Sequence, residues 1–134
     1  MKHSLLMAGC IALCMLSGSN SARAQTQLEL NQSAGRDLEA AETRMNEVLA
    51  RLFKMANGRP KAVAKLEQAQ SAWRSYRDAH VKAYWPSDDL GQYGSVYPMC
   101  VALEMTRLTN ARIADLQNMT PRGEGDVCAC PWPE

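Results

Sequence analysis

Leu66-Glu67-Gln68-Ala69-Gln70-Ser71-Ala72-Trp73-Arg74-Ser75-Tyr76-Arg77-Asp78-Ala79-His80-Val81-Lys82-Ala83-Tyr84 decides the fold of this chain. It contains no glycine and no proline. Leu66, Ala69, Trp73, Tyr76 and His80 recur in steps of three and four, so they share one helical stripe. Arg77 lies one turn beyond Trp73, where its guanidinium can sit beside the indole. A second stretch answers the first. Met105, Leu108, Arg112, Leu116 and Met119 share a face, so an arginine interrupts an apolar stripe. A charge near a core is costly unless it is paired. Trp73, Arg77 and Arg112 are therefore expected to form a fixed polar network, with Glu42 and Glu67 as the candidate partners of Arg112. Asp78 is expected to meet Arg74, four residues back.

Working toward the N-terminus, Leu38, Ala41, Met45, Val48, Leu52 and Met55 form another stripe, widened by Leu49 and Phe53. Asn57-Gly58 ends it, since both residues tolerate a left-handed cap. Pro60 suits the first turn of the next helix, which is expected to reach about Trp85. Pro86 and Ser87–Ser95 then make a loop. A third helix is expected from about Val96 to Met119, with Ser95 as its cap. Short connections favour antiparallel neighbours. The expected fold is all-α: an antiparallel three-helix bundle over residues 38–119. A flexible lead-in, residues 25–37, precedes it, and an irregular proline-rich tail, residues 120–134, follows.

Residues 1–24 read as a signal peptide. Lys2 and His3 precede the apolar run Leu5–Leu16, and Ala22-Arg23-Ala24 fits a small-x-small cleavage pattern. The run is too short to span a bilayer. Processing after Ala24 removes Lys2 and Arg23 and no acid, leaving thirteen basic against fourteen acidic side chains, net −1. Such a balance gives no electrostatic footprint for nucleic acid. It does not repel a cationic protein. The expected compartment is the periplasm or the exterior.

Cys100, Cys128 and Cys130 remain after processing. In an oxidising compartment a disulfide is expected. A bridge between Cys128 and Cys130 is strained, so Cys100 is expected to pair with either of them. The odd thiol is left spare or bridges to another molecule.

His80 is the one histidine after Ala24, so a triad or histidine-rich metal site has little to draw on. Asp88 and Asp89 lie together in a loop, as solvated turn residues do. Gly91, Gly94, Gly123 and Gly125 fit no phosphate-loop spacing. No catalytic constellation, metal site or cofactor is predicted. The loop itself is the stronger candidate. Trp85, Asp88, Asp89, Tyr93 and Tyr97 surround a short glycine-containing connection, and such amphipathic rings anchor protein interfaces. A loop carried on two rigid helices is a natural probe for a partner's cleft.

Ala69-Gln70, Trp73 and Tyr76-Arg77-Asp78-Ala79, then a glycine-containing loop, Tyr97-Pro98-Met99 and Leu108-Thr109-x-x-Arg112-x-x-x-Leu116, resemble the LprI-type lysozyme-inhibitor domain family. The resemblance covers roughly Leu38–Leu116. It implies an exported helical domain that is not an enzyme and whose partner is a lysozyme. Many members carry a cysteine shortly after the Arg-Asp-Ala segment, where this chain has His80 and Val81. The alternative expectation is an envelope scaffold module that binds another envelope protein through its helix faces or its Cys128–Trp132 tail.

Overall fold

The computed structural model describes residues 26–120. Three helices account for most of them: α1, Gln27–Met55; α2, Pro60–Tyr84; and α3, Tyr97–Gln117. A single 3-10 turn, Leu90–Tyr93, lies in the connection between α2 and α3. The expected all-α architecture is the observed one.

Cross-helix hydrogen bonds fix the directions. Gln70 Nε2 lies 3.5 Å from Met45 Sδ, and Arg77 Nη1 donates to Glu42 Oε1 at 2.8 Å, so α2 runs antiparallel to α1. Arg112 Nε donates to Gln70 Oε1 at 3.2 Å, and His80 Nε2 lies 2.9 Å from Glu104 Oε1, so α3 runs antiparallel to α2. Arg44 Nη2 donates to Asn110 Oδ1 at 3.2 Å and Asn31 Nδ2 to the Ser95 carbonyl at 3.0 Å, which sets α1 and α3 parallel. The bundle is up-down-up.

The three helices are not equally spaced. The α1 and α3 backbones approach each other far more closely than either approaches α2. The residues between them explain this: Ala34, Ala41, Ala102 and Thr109 are all buried and small, and interaxial distance follows side-chain size. The inner face of α2 carries Leu66, Gln70, Trp73 and Arg77, which hold it away. The main apolar core comprises Met45, Val48, Leu49, Leu52, Leu66 and Leu116. Phe53, Met55, Trp73, Ile113 and Met119 pack against it. Leu52 is fully buried, so truncating it to alanine costs about 2–5 kcal/mol.

Five expectations are corrected. First, α1 begins at Gln27, well ahead of Leu38, so most of the supposed flexible lead-in 25–37 is helix. Thr26 caps it through a reciprocal capping box: Glu29 N–H donates to Thr26 Oγ1 at 3.2 Å, and Thr26 N–H to Glu29 Oε2 at 2.8 Å. The first turns bury Ala34 rather than a large residue, which hides the stripe from a hydropathy reading. Second, Val96, not Ser95, is the N-cap of α3, with no side-chain cap bond; Pro98 stands in the first turn instead.

Third, Arg112 has neither Glu42 nor Glu67 as its partner. It bonds Gln70, while Glu42 is taken by Arg77. Fourth, Asp78 meets Arg77, with Nε donating to Oδ1 at 3.3 Å, rather than Arg74. Fifth, the buried face of α2 is rotated relative to the stripe read from sequence. Gln70 is buried, Ala69 is exposed and Tyr76 is 55% exposed.

Candidate functional site at the aromatic end of the bundle

The last turn of α2, the connection 85–96 and the first turn of α3 meet at one end of the bundle. Trp85 closes α2, its N–H donating to the Val81 carbonyl at 3.1 Å. Pro86 prevents the helix from continuing. The chain then folds back on its own polar groups. Asp89 caps the 3-10 turn, accepting from Gly91 N–H at 3.0 Å. Ser87 Oγ accepts from Asp89 N–H at 3.1 Å. Tyr93 reaches back across the loop, and its hydroxyl accepts from Ser87 N–H at 2.8 Å. Gly94 follows with φ 71°, a conformation that a side chain would strain.

Rings brace this loop from below. Tyr93 stacks on Tyr97, with centroids 5.2 Å apart and planes 19° apart. Trp85 meets Tyr97 edge-on at 5.9 Å and 86°. Tyr84 and Trp85 lie 4.6 Å apart. Trp85, Tyr93 and Tyr97 are half-buried, so they act as a floor. Asp88 and Asp89 are exposed above it. Leu90 at the turn is 51% exposed. It stands between two open clefts: one of about 590 Å³ toward Lys82, Trp85 and Asp88, and one of about 730 Å³ toward Leu38, Pro98, Val101 and Met105.

All five predicted binding residues thus fall at this end, with different roles. Tyr93 and Tyr97 form a stacked pair. Trp85 supports them. Asp89 shapes the loop, and Asp88 faces solvent. Leu90 was not singled out from sequence, because a lone leucine in a polar loop carries no periodic signal.

The aromatic series continues along α2. Trp85 leads to Tyr84, then His80 at 6.3 Å and Tyr76 at 5.8 Å. Glu104 of α3 lies beside this row. It receives Arg107 in a fork, Nε to Oε2 at 2.9 Å and Nη2 to Oε1 at 2.6 Å, in addition to the His80 contact. The Arg107 hydrogen bonds hold the Glu104 carboxyl below its ordinary value; burial opposes this, and the bond to His80 adds to it. The spacing of Tyr76, His80 and Tyr84 by four was visible in the sequence. That Glu104 and Arg107 lie beside them depends on helix docking and was not.

The single network expected of Trp73, Arg77 and Arg112 divides in two farther along the bundle: Arg77 pairs with Glu42 and Asp78, and Arg112 bonds Gln70, with no hydrogen bond joining the two sets among the described residues. Arg77 lies over the Trp73 ring, its Cζ 5.3 Å from the centroid, as the spacing predicted. Burial pushes the Arg112 guanidinium below its ordinary value, with Asp115 opposing the shift. These residues join helices and are remote from the loop. Cys100 is half-exposed and forms no disulfide among the described residues. Cys128 and Cys130 lie outside the described residues, as do the expected signal peptide and nearly all of the expected proline-rich tail. Among the described residues, no group of three or more His, Cys, Asp or Glu side chains is arranged to hold a metal ion. None of the described helices is long and apolar enough to cross a membrane.

The described residues form a small up-down-up helical domain with a hydrogen-bonded aromatic loop at one end. The model of the family described as "Lysozyme inhibitor LprI" matches residues 18–116, and the chain belongs to that family. No curated protein and no solved structure matches the chain significantly.

Proposed function

We propose that this protein is exported, processed after Ala24 and acts on a lysozyme by contact, with the 86–96 loop as the element that enters the enzyme's cleft. Membership of the lysozyme-inhibitor family supplies the partner class. The observation that carries the choice of loop is its internal bracing: Tyr93 hydroxyl to Ser87 N–H, Asp89 to Gly91, and Tyr93 on Tyr97. A loop already held in one conformation loses little entropy on docking. Leu90 offers an apolar tip, and Asp88 and Asp89 suit a cationic partner. A muramidase hydrolyses its substrate between two carboxyl groups in a groove. A plug in that groove excludes the glycan without any chemistry by the inhibitor.

The test is a muramidase assay with purified residues 25–134 in micromolar excess. Slowed cleavage by the wild type, lost on Leu90→Asp while the helical circular dichroism signal is retained, supports the reading. Full enzyme activity at all ratios removes it.

A further inference from the structure

Beyond the loop, the outer face shared by α2 and α3 has a composition of its own. Tyr76 and Tyr84 are 55% and 64% exposed, and Leu103 on α3 is 50% exposed. His80 lies between the two tyrosines, so three rings run in single file along α2 at 5.8 and 6.3 Å. Their planes are mutually tilted by 48° and 40°, so a ligand meets alternating faces and edges rather than one flat platform. The flanking α2 positions on this side are Ala72, Ala79 and Ala83, all exposed and too small to cover the rings.

Charge along this row is confined to one matched set. Glu104 is forked to Arg107 and touches His80, so the row presents both donors and acceptors and little net charge. Such a surface matches an uncharged ligand with apolar faces and hydroxyl or amide edges. Sugar rings have that character: their C–H faces stack on aromatic rings, while their hydroxyls bond to side chains such as Glu and Arg. The ring spacing is comparable with the length of one sugar unit. The His80–Glu104 bond fixes the middle ring against α3, so the row is preorganised.

We propose that the Tyr76–His80–Tyr84 row, with Glu104 and Arg107, binds a strand of uncharged N-acetylated sugars. This goes beyond the loop reading and does not depend on it. A protein ligand on the same face is the competing occupant. It is less favoured because the rings stand in an open file, not in a desolvated pocket around a central anchor.

The probe is an oligomer of N-acetylglucosamine titrated into isotope-labelled residues 25–134 and followed by nuclear magnetic resonance. Saturable shifts centred on Tyr76, His80 and Tyr84 are expected, with Tyr76→Ala and Tyr84→Ala each weakening binding roughly fivefold or more, as loss of a stacking ring does. Both residues are exposed, so these variants keep the fold. Leu90→Asp in the loop leaves the sugar affinity unchanged, which separates this result from the muramidase assay. No saturable shift at millimolar oligomer overturns the proposal. So does binding that Tyr76→Ala and Tyr84→Ala leave intact. Loss of muramidase inhibition in those variants without any oligomer binding assigns the face to protein and also overturns it.

Discussion

Arg77 holds α2 to α1 through Glu42, its Nη1 2.8 Å from Oε1, while its guanidinium lies 5.3 Å from the Trp73 ring centre. The arginine side chain is largely covered and the glutamate is more open. One residue thus combines an ion pair, a cation–π contact and a spacer between two helices whose backbones stay apart.

Removing it leaves Glu42 without its partner and uncovers the indole. Arg77→Ala is expected to destabilise the domain by about 1–3 kcal/mol, less than a fully buried pair because Glu42 is partly solvated. Glu42→Gln should cost less, since the amide oxygen still accepts. Urea unfolding followed by Trp fluorescence checks both. Equal, negligible changes would show that the contact contributes nothing.

Arg112 presents the opposite case. It is partly buried, bonds the neutral Gln70 and has no carboxylate partner among the described residues. Arg112→Met removes the desolvation cost but leaves the buried Gln70 Oε1 without its donor, so it should cost less than stranding the charge itself. Gln70→Leu should lower stability by about 1–3 kcal/mol, because it strands the guanidinium. An Arg112→Met variant less stable than Gln70→Leu would contradict this ordering.

Thr109 is completely buried between α1 and α3, and its Oγ1 has no hydrogen-bond partner among the described residues. Thr109→Val keeps the shape and removes the orphan group, so a gain of about 1 kcal/mol is expected. Ala41→Leu at the same close interface should cost about 1–3 kcal/mol by overpacking. Thermal melts of the two variants should move in opposite directions.

Glu104 introduces an acid dependence. Its folded carboxyl is held below its ordinary value, chiefly by Arg107, so on acidification the unfolded chain takes up this proton first. Its contribution is fully present above the ordinary carboxylate range and is lost as pH falls through the lowered folded value. Glu104→Gln should flatten the acid limb of the stability curve from the ordinary carboxylate range downward. The same slope in wild type and variant would dismiss the effect. The site is close to solvent, so the change should be small and sensitive to salt.

Much of the architecture was legible because it rests on long, periodic stripes. Leu66, Trp73 and Arg77 placed α2, and Pro60 and Pro86 bounded it. What the stripes could not show were the arrangements set by helix docking. Arg112 had two carboxylates in prospect, Glu42 and Glu67, and only the helix rotations gave Gln70 to Arg112 and Glu42 to Arg77. The first turns of α1 escaped notice because Ala34 and hydrogen-bonding Gln27 and Asn31 anchor them, not large apolar side chains. At the site, Trp85, Tyr93 and Tyr97 announced themselves as aromatic. Leu90 and the Glu104–Arg107 fork did not, since their significance lies in contacts across the chain.

The most direct measurement is the inhibition constant against a muramidase acting on a small soluble substrate, which excludes masking of the polysaccharide. The loop reading predicts micromolar or tighter inhibition by the wild type. Tyr93→Ala, which removes both the hydroxyl bond to Ser87 and the stack on Tyr97, should weaken it at least about tenfold, or 1.4 kcal/mol. Inhibition unchanged in that variant, or none in the wild type, contradicts it.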